Sequence, residues 1–212
     1  MNNQTILIAD TSSYTIRAAI YKDKALVAKI ERQAMPLENF FPILNELFAA
    51  AKIAPKDISQ YWFCEGTGSV LGIRSASVSF CTMAFLNNAK IKTFRLFETL
   101  YALAKSKNVK EPFTLYCGSR KGCYNICANG GAPKEIAAAD FESEKLGDCY
   151  FVKQRNAESI AENTNEFEYD IADLFETLEK APGLLTEQNS NIPDALLLSK
   201  REFAKWNSQA HI

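Results

Sequence analysis

Apolar and polar positions alternate at the start of the chain. Thr5 to Ala9 is an apolar run ending at Asp10. From Tyr14 to Tyr21, Tyr14, Ile16, Ala18 and Ile20 alternate with Thr15, Arg17, Ala19 and Tyr21, the period of a half-buried strand. Lys22-Asp23-Lys24 reads as a hairpin turn, and Ala25 to Ile30 as the returning strand. The period then changes. Leu37, Phe40, Phe41, Leu44, Leu47, Phe48 and Ala51 recur at helical spacing, with Pro42 marking either the first turn or a kink. A strand at Tyr61–Cys64, a helix from Ile73 to Asn87, a strand at Lys92–Phe97 and a helix at Glu98–Lys105 follow. The order β-β-β-α-β-α-β-α predicts a five-stranded mixed sheet covered by helices.

Lys105 to Pro112 is polar and ends in proline, which predicts a boundary giving lobes 1–109 and 110–212. The second half shows strands at Phe113–Cys117, Gly122–Ala128 and Cys149–Lys153. It also shows an Asp170-capped helix carrying Ile171, Leu174, Phe175 and Leu178, stopped by Pro182-Gly183. Ser199 and Glu202 form a capping box before Phe203 and Trp206. With fewer strong elements, this half reads as a reduced copy of the first lobe.

The connection into the helix at 73–87 is rich in glycine: Glu65-Gly66-Thr67-Gly68-Ser69-Val70-Leu71-Gly72-Ile73-Arg74-Ser75. Glycine permits a sharp strand-to-helix turn, and the helix start offers unpaired N–H groups to an anion. Two readings stand: a tight connection without a ligand, or an anion or nucleotide contact using Gly66, Gly68, Ser69 and Arg74 with Asp10, Thr11 and Ser12. The spacing is neither a Walker loop nor a dinucleotide fingerprint. Asp10 can also bond its own turn, and Arg74 can pair with Glu65 or Asp10. Arg120 and Lys121 read as a solvated turn or a contact to a partner or tRNA. Trp62 and Trp206 read as core or interface anchors.

Charge and composition narrow the chemistry. The net charge is −1 over 212 residues, and neither a nucleic-acid binder nor a membrane-surface protein follows from it. Residues 1–109 carry 13 Lys or Arg against 8 Asp or Glu, whereas 157–179 holds eight acids and no base. That acidic segment reads as a solvated face that repels a phosphate backbone. The single histidine, His211, argues against Ser-His-Asp and Cys-His nucleophiles and His-ligated metal sites. The six cysteines lack a Cys-x-x-Cys pair and read as free thiols in a reducing compartment. The start lacks signal-peptide character and no apolar run is read as membrane-spanning, so the expectation is cytoplasmic with no membrane partner.

The helix at 73–87 has no charged face after Arg74. One side packs on the sheet, and the other needs a cover from the second half, a second copy or another protein. The expected partner face is Phe41, Leu44, Asn45, Phe48, Ser75, Ala76, Ser79, Thr82 and Met83.

Together these features resemble the TsaB (YeaZ-like) family, non-catalytic members of the actin/sugar-kinase superfamily. The family's opening strand and Asp-Thr pair appear as Asp10-Thr11-Ser12. Its signature, close to Gly-Pro-Gly-Ser-Phe-Thr-Gly-Leu-Arg, appears as Gly66 to Arg74. Its early helix proline appears as Pro42 and its Ser-Thr-Leu helix start as Glu98-Thr99-Leu100. Its Asp-Ala-Arg-x-Gly turn appears as Gly118 to Gly122, and its Pro-x-Tyr-Leu-Arg element as Pro193 to Leu198. Thr67, Val70, Leu71, Gly118 and Cys123 depart from the pattern, marking a divergent member.

The resemblance implies an actin-like, ribonuclease-H-like fold. It also implies a scaffold role in making threonylcarbamoyladenosine on tRNA, with a TsaD-type catalytic subunit and a TsaE-type ATPase as partners. tRNA is then contacted only indirectly, and a homodimer is an alternative use of the same surface. No cofactor is expected beyond weak ATP or ADP binding. The competing reading is a small ATP-dependent phosphotransferase or ATPase of the same superfamily.

Overall fold

The computed structural model describes residues 4–154, 159–160, 164–188, 195–196 and 198. The expected capping box at Ser199 and Glu202, along with Trp206, His211 and Pro193, lies outside them.

Strands β1 (Thr5–Asp10), β2 (Thr15–Lys22) and β3 (Ala25–Gln33) form an antiparallel meander. Its tight turn places Asp23 and Lys24 at positive φ, the twist-matched geometry of a two-residue hairpin. Helix α1 (Pro36–Ala51) follows. Pro36, not Pro42, occupies its first turn, where a missing N–H costs least. Pro42 lies inside the helix on its exposed side. Strand β4 (Gln60–Gly66) runs parallel to β1, and β5 (Lys90–Arg95) parallel to β4. Between them, α2 spans Val70–Asn87, starting three residues earlier than its apolar pattern predicts because Ser69 caps it. Helix α3 begins at Leu96, so Leu96 and Phe97, read from the sequence as strand, fill the core from its first turn.

The second half holds β6 (Phe113–Gly118), β7 (Cys123–Ala128), β8 (Lys134–Ala137), the short α4 (Phe141–Glu144), β9 (Asp148–Phe151), β10 (Thr164–Glu166) and α5 (Ile171–Lys180). β11 (Thr186–Gln188) closes the described elements. The second sheet is ordered β10-β9-β6-β7-β8, and the first β11-β5-β4-β1-β2-β3. Each thus contains a three-strand meander with two parallel strands added beside its first strand, so one topology occurs twice. β11, antiparallel on β5, makes the first sheet six-stranded rather than the expected five.

One face of the first sheet carries α1 and α2 over Leu7, Ile20, Tyr61 and Phe63. The other carries α3 and α5, whose Leu100, Leu174 and Phe175 lie in one cluster with Trp62, Phe113 and Leu115. Trp62 is thus a core residue, stacked near Phe175. The expected boundary near residue 109 falls between α3 and β6, and α5 and β11 return from beyond it to complete the first sheet.

All six cysteines are free thiols, with Cys81 and Cys123 half-buried and the others buried. The expectation that no apolar run is long enough to cross a bilayer is corrected. Among the described residues α2 meets that criterion by length and composition, with one side built into the core.

Candidate functional site

β1 lies between parallel β4 and antiparallel β2, so the sheet order reverses direction at the carboxyl end of β1. In open α/β sheets that crevice is where ligands bind. Asp10–Ser13 and Gly66–Ser69 meet here. Gly66 and Gly68 hold φ of 147° and 153°, a region L side chains rarely adopt. A β-carbon on Gly68 would stand 2.3 Å from the Ser12 carbonyl oxygen, and one on Gly72 would stand 2.1 Å from that of Thr11. Ser69 N–H donates to the Ser12 carbonyl at 2.6 Å. Thr11 Oγ1 donates to the Gly72 carbonyl at 2.9 Å, and Ser69 Oγ accepts from Gly72 N–H at 3.3 Å. The glycines let two loops lie against each other.

Asp10 is wholly buried at the centre. Its Oδ1 accepts the Ser12 N–H at 2.9 Å, the bond to its own turn that the sequence suggests. Its Oδ2 accepts the Tyr169 hydroxyl at 2.8 Å. Arg17 Nη1 lies 3.8 Å from the same carboxylate, and its guanidinium sits 4.4 Å from the centre of the Tyr169 ring. Arg17 Nε pairs with Glu31 at 2.8 Å. Burial pushes the Tyr169 phenol well above its ordinary pKa, and the charge of Asp10 pushes it further. Burial works against the Arg17 charge, but Tyr169, Asp10 and Glu31 together raise its pKa.

Two more groups reach this place from the second half. Gln154 Nε2 donates to the Thr67 carbonyl at 3.1 Å and lies 3.5 Å from Ser12 Oγ. Leu196 N–H donates to the Glu65 carbonyl at 2.6 Å, and its β-carbon would stand 2.7 Å from one on Gly66. Groups of the second half therefore contact the loop at 65–68 directly.

The sequence-predicted contact residues divide accordingly. Asp10, Thr11, Ser12, Gly66, Gly68 and Ser69 come together, but against one another rather than around an open cradle. Arg74 is exposed on α2. The two carboxylates suggested for it have other cations: Glu65 pairs with Arg95 at 3.0 Å, and Asp10 faces Arg17. Arg120 pairs with Glu135 at 3.0 Å. Tyr169, Gln154 and Arg17 were not singled out by the sequence, and no local pattern marks them. A groove of about 1210 Å³ opens beside Arg17 and Tyr169, lined by both halves. Its charges are largely matched internally, Arg17 by Glu31, Lys107 by Asp173 and Lys153 by Glu166.

The expected partner face is also divided. Leu44, Phe48, Ala76 and Ser79 are buried within the first lobe, correcting their assignment to an outer surface. They are the α1–α2–sheet packing itself. Phe41, Asn45 and Thr82 are exposed, and Ser75 and Met83 half-exposed. The exposed seam of α2 runs Leu71, Ser75, Val78, Thr82, Phe85, with Phe85 86% and Val78 52% exposed. Leu37 and Phe41 of α1 are exposed as well. No described residue of the second half covers these apolar groups enough to bury them.

No family model matches the chain. Over 100 residues it is 28% identical to the tRNA threonylcarbamoyladenosine biosynthesis protein TsaB of Bacillus subtilis (strain 168), a stretch covering 46% of this chain and 44% of that protein. The chain thus spans less than half the length of the curated relative it matches. Among solved structures it is similar to an uncharacterized Pseudomonas aeruginosa protein with similarity to peptidase YEAZ, with a TM-score of 0.64 and 15% identity over 85% of this chain and 92% of that one. It is also similar to YeaZ from Pseudomonas aeruginosa, with a TM-score of 0.61 and 14% identity over the same shares. At that identity the structures establish a shared fold. The Asp10-Thr11 strand end, the Gly66–Arg74 loop and the twice-used sheet order belong to a two-lobe, ribonuclease-H-like fold that the chain shares with these structures, and part of its sequence is similar to TsaB.

Proposed function

We propose that the chain is a non-catalytic scaffold subunit in tRNA threonylcarbamoyladenosine synthesis, working in the cytoplasm. It pairs with a TsaD-type transferase, a TsaE-type ATPase joins the pair, and tRNA is touched only through them. The observation that carries this reading is the exposed seam of α2. Its steps of four, three, four and three residues are the knobs-into-holes spacing of helix-on-helix packing. Its hydroxyls already have partners: Ser75 Oγ donates to the Leu71 carbonyl at 2.8 Å and Thr82 Oγ1 to the Val78 carbonyl at 2.8 Å. A partner helix can cover this seam without stranding a polar group. A contiguous apolar face of this kind marks an interaction surface.

The phosphotransferase or ATPase reading needs the crevice at the end of β1 for phosphates. Asp10 there is bonded to Tyr169 and Ser12, and the backbone of Glu65 and Thr67 is bonded to Leu196 and Gln154. These contacts favour the scaffold over the enzyme.

The test is co-purification with the TsaD-type subunit of the same organism, followed by sizing. A stable complex is expected, with Val78→Arg or Phe85→Glu weakening it about 30-fold or more while the melting temperature of the free chain holds. A second copy on the seam instead would appear as a homodimer sensitive to the same changes. No complex at micromolar concentration, or one indifferent to both substitutions, overturns the proposal.

A further inference from the structure

Three connections reach from the second half of the chain to the strand ends of the first lobe, each at a different point. Tyr169, just before the Asp170 cap of α5, donates to the end of β1 at Asp10. Gln154, just beyond β9, donates to the loop after β4 at Thr67. Leu196 donates to β4 at Glu65. Asp10, Thr67, Tyr169 and Gln154 are all at least nine-tenths buried. A lone carboxylate at Asp10 could not stay in that environment without donors. The Ser12 N–H serves one oxygen, and the Tyr169 hydroxyl serves the other, with the Arg17 guanidinium 3.8 Å from it.

We infer that Tyr169 and Gln154 form an interlobe latch that holds the strand ends of β1 and β4 closed against the second half, at the floor of the groove beside Arg17. The phenol supplies the donor that a buried carboxylate requires, and its ring seats the Arg17 guanidinium. The Gln154 amide satisfies a carbonyl on the neighbouring strand end, so the latch spans both strands flanking the crevice. Opening would expose Asp10 and Thr67 to water and break both connections together. The latch also reaches α2. Thr11, next to Asp10, holds the first turn of that helix through the Gly72 carbonyl. The latch therefore fixes the loop on which α2 is seated.

Hydrogen–deuterium exchange of the full free chain tests this, independently of any partner. In Tyr169→Phe, segments 10–13 and 65–69 are expected to exchange about tenfold faster, whereas 6–8 and 61–63 keep their wild-type rates. Gln154→Ala, a milder change, is expected to speed 65–69 selectively and provides the test if the phenylalanine variant does not fold. Unchanged rates at the loops, or equal acceleration throughout the chain, would overturn the latch.

Discussion

The Ser12 carbonyl accepts the Ser69 N–H at 2.6 Å, and the same oxygen would stand 2.3 Å from a β-carbon on Gly68. That approach is available only to glycine, and Gly68 also holds a φ of 153°. Gly68→Ala is expected to cost about 2 kcal/mol or more. Gly122→Ala is a control, since Gly122 also has positive φ, 73°, but nothing lies within 4 Å of a β-carbon there. It should cost about 1 kcal/mol. Urea unfolding separates the two; equal losses would mean that loop contact is not what fixes Gly68.

Phe80 and Phe85 lie five residues apart on α2 and have opposite fates. Phe80 packs against Phe40, Tyr61 and Phe63, whereas Phe85 is exposed. Phe80→Ala should lower stability by about 3–5 kcal/mol, and Phe85→Ala by no more than about 0.5 kcal/mol. Thermal unfolding of the isolated chain checks both, and a large loss at Phe85 would place that side chain in the core.

Asp170 caps α5, accepting from the Ala172 and Asp173 N–H groups at 2.8 and 2.9 Å and from Lys29 at 2.6 Å. Burial raises its pKa, but the Lys29 bond and the backbone donors outweigh burial and hold it below its ordinary value. The folded state therefore favours the carboxylate. The stabilisation is complete above the unfolded pKa and is lost as pH falls through the lower folded one. Asp170→Ala should cost about 1 kcal/mol near neutrality, with the gap from wild type narrowing below about pH 4. Urea midpoints across pH would show it; a gap constant with pH would remove the charge from the cap's contribution.

At the alkaline end, burial pushes the phenols of Tyr21 and Tyr61 up to about 12, with Asp170 and Glu176 adding to the effect at Tyr21 and Asn87 opposing it at Tyr61. Their neutral forms are favoured by folding, so this stabilisation is full below about pH 10 and declines as pH rises towards 12. Phenolate absorbance at pH 11 should therefore rise when urea unfolds the chain. The same absorbance in folded and unfolded protein would contradict the burial of these rings.

Much of the first lobe is legible in the sequence because its apolar periods are long. The meander, α1, α2 and α3 each bury a face that repeats often enough to be counted. The strands that escape reading are polar and short: Lys134–Ala137, Thr164–Glu166 and Thr186–Gln188. Their backbones are recruited by neighbouring strands, which local sequence does not record. α2 poses a different difficulty. It is apolar nearly all round, so its periodicity does not say that Phe80 faces the sheet and Phe85 the outside. The sequence therefore puts Ala76 and Ser79 on the partner face, whereas both are buried. At the crevice the glycines announce a close approach, but not its occupant. Tyr169 lies 159 residues from Asp10, and only the fold joins them.

The return of α5 and β11 to the first sheet has a consequence for how the protein is made. When residues 1–109 have left the ribosome, the sheet face bearing Tyr21 and Trp62 still lacks Phe175, which stacks on Tyr21 and lies 5.4 Å from the Trp62 ring. The edge of β5 also still lacks β11. The early half of the nascent chain thus waits with an aromatic surface and an open strand edge until α5 and β11 are synthesised. A premature stop before α5 would leave a product whose natural fate is chaperone capture or degradation rather than a working half.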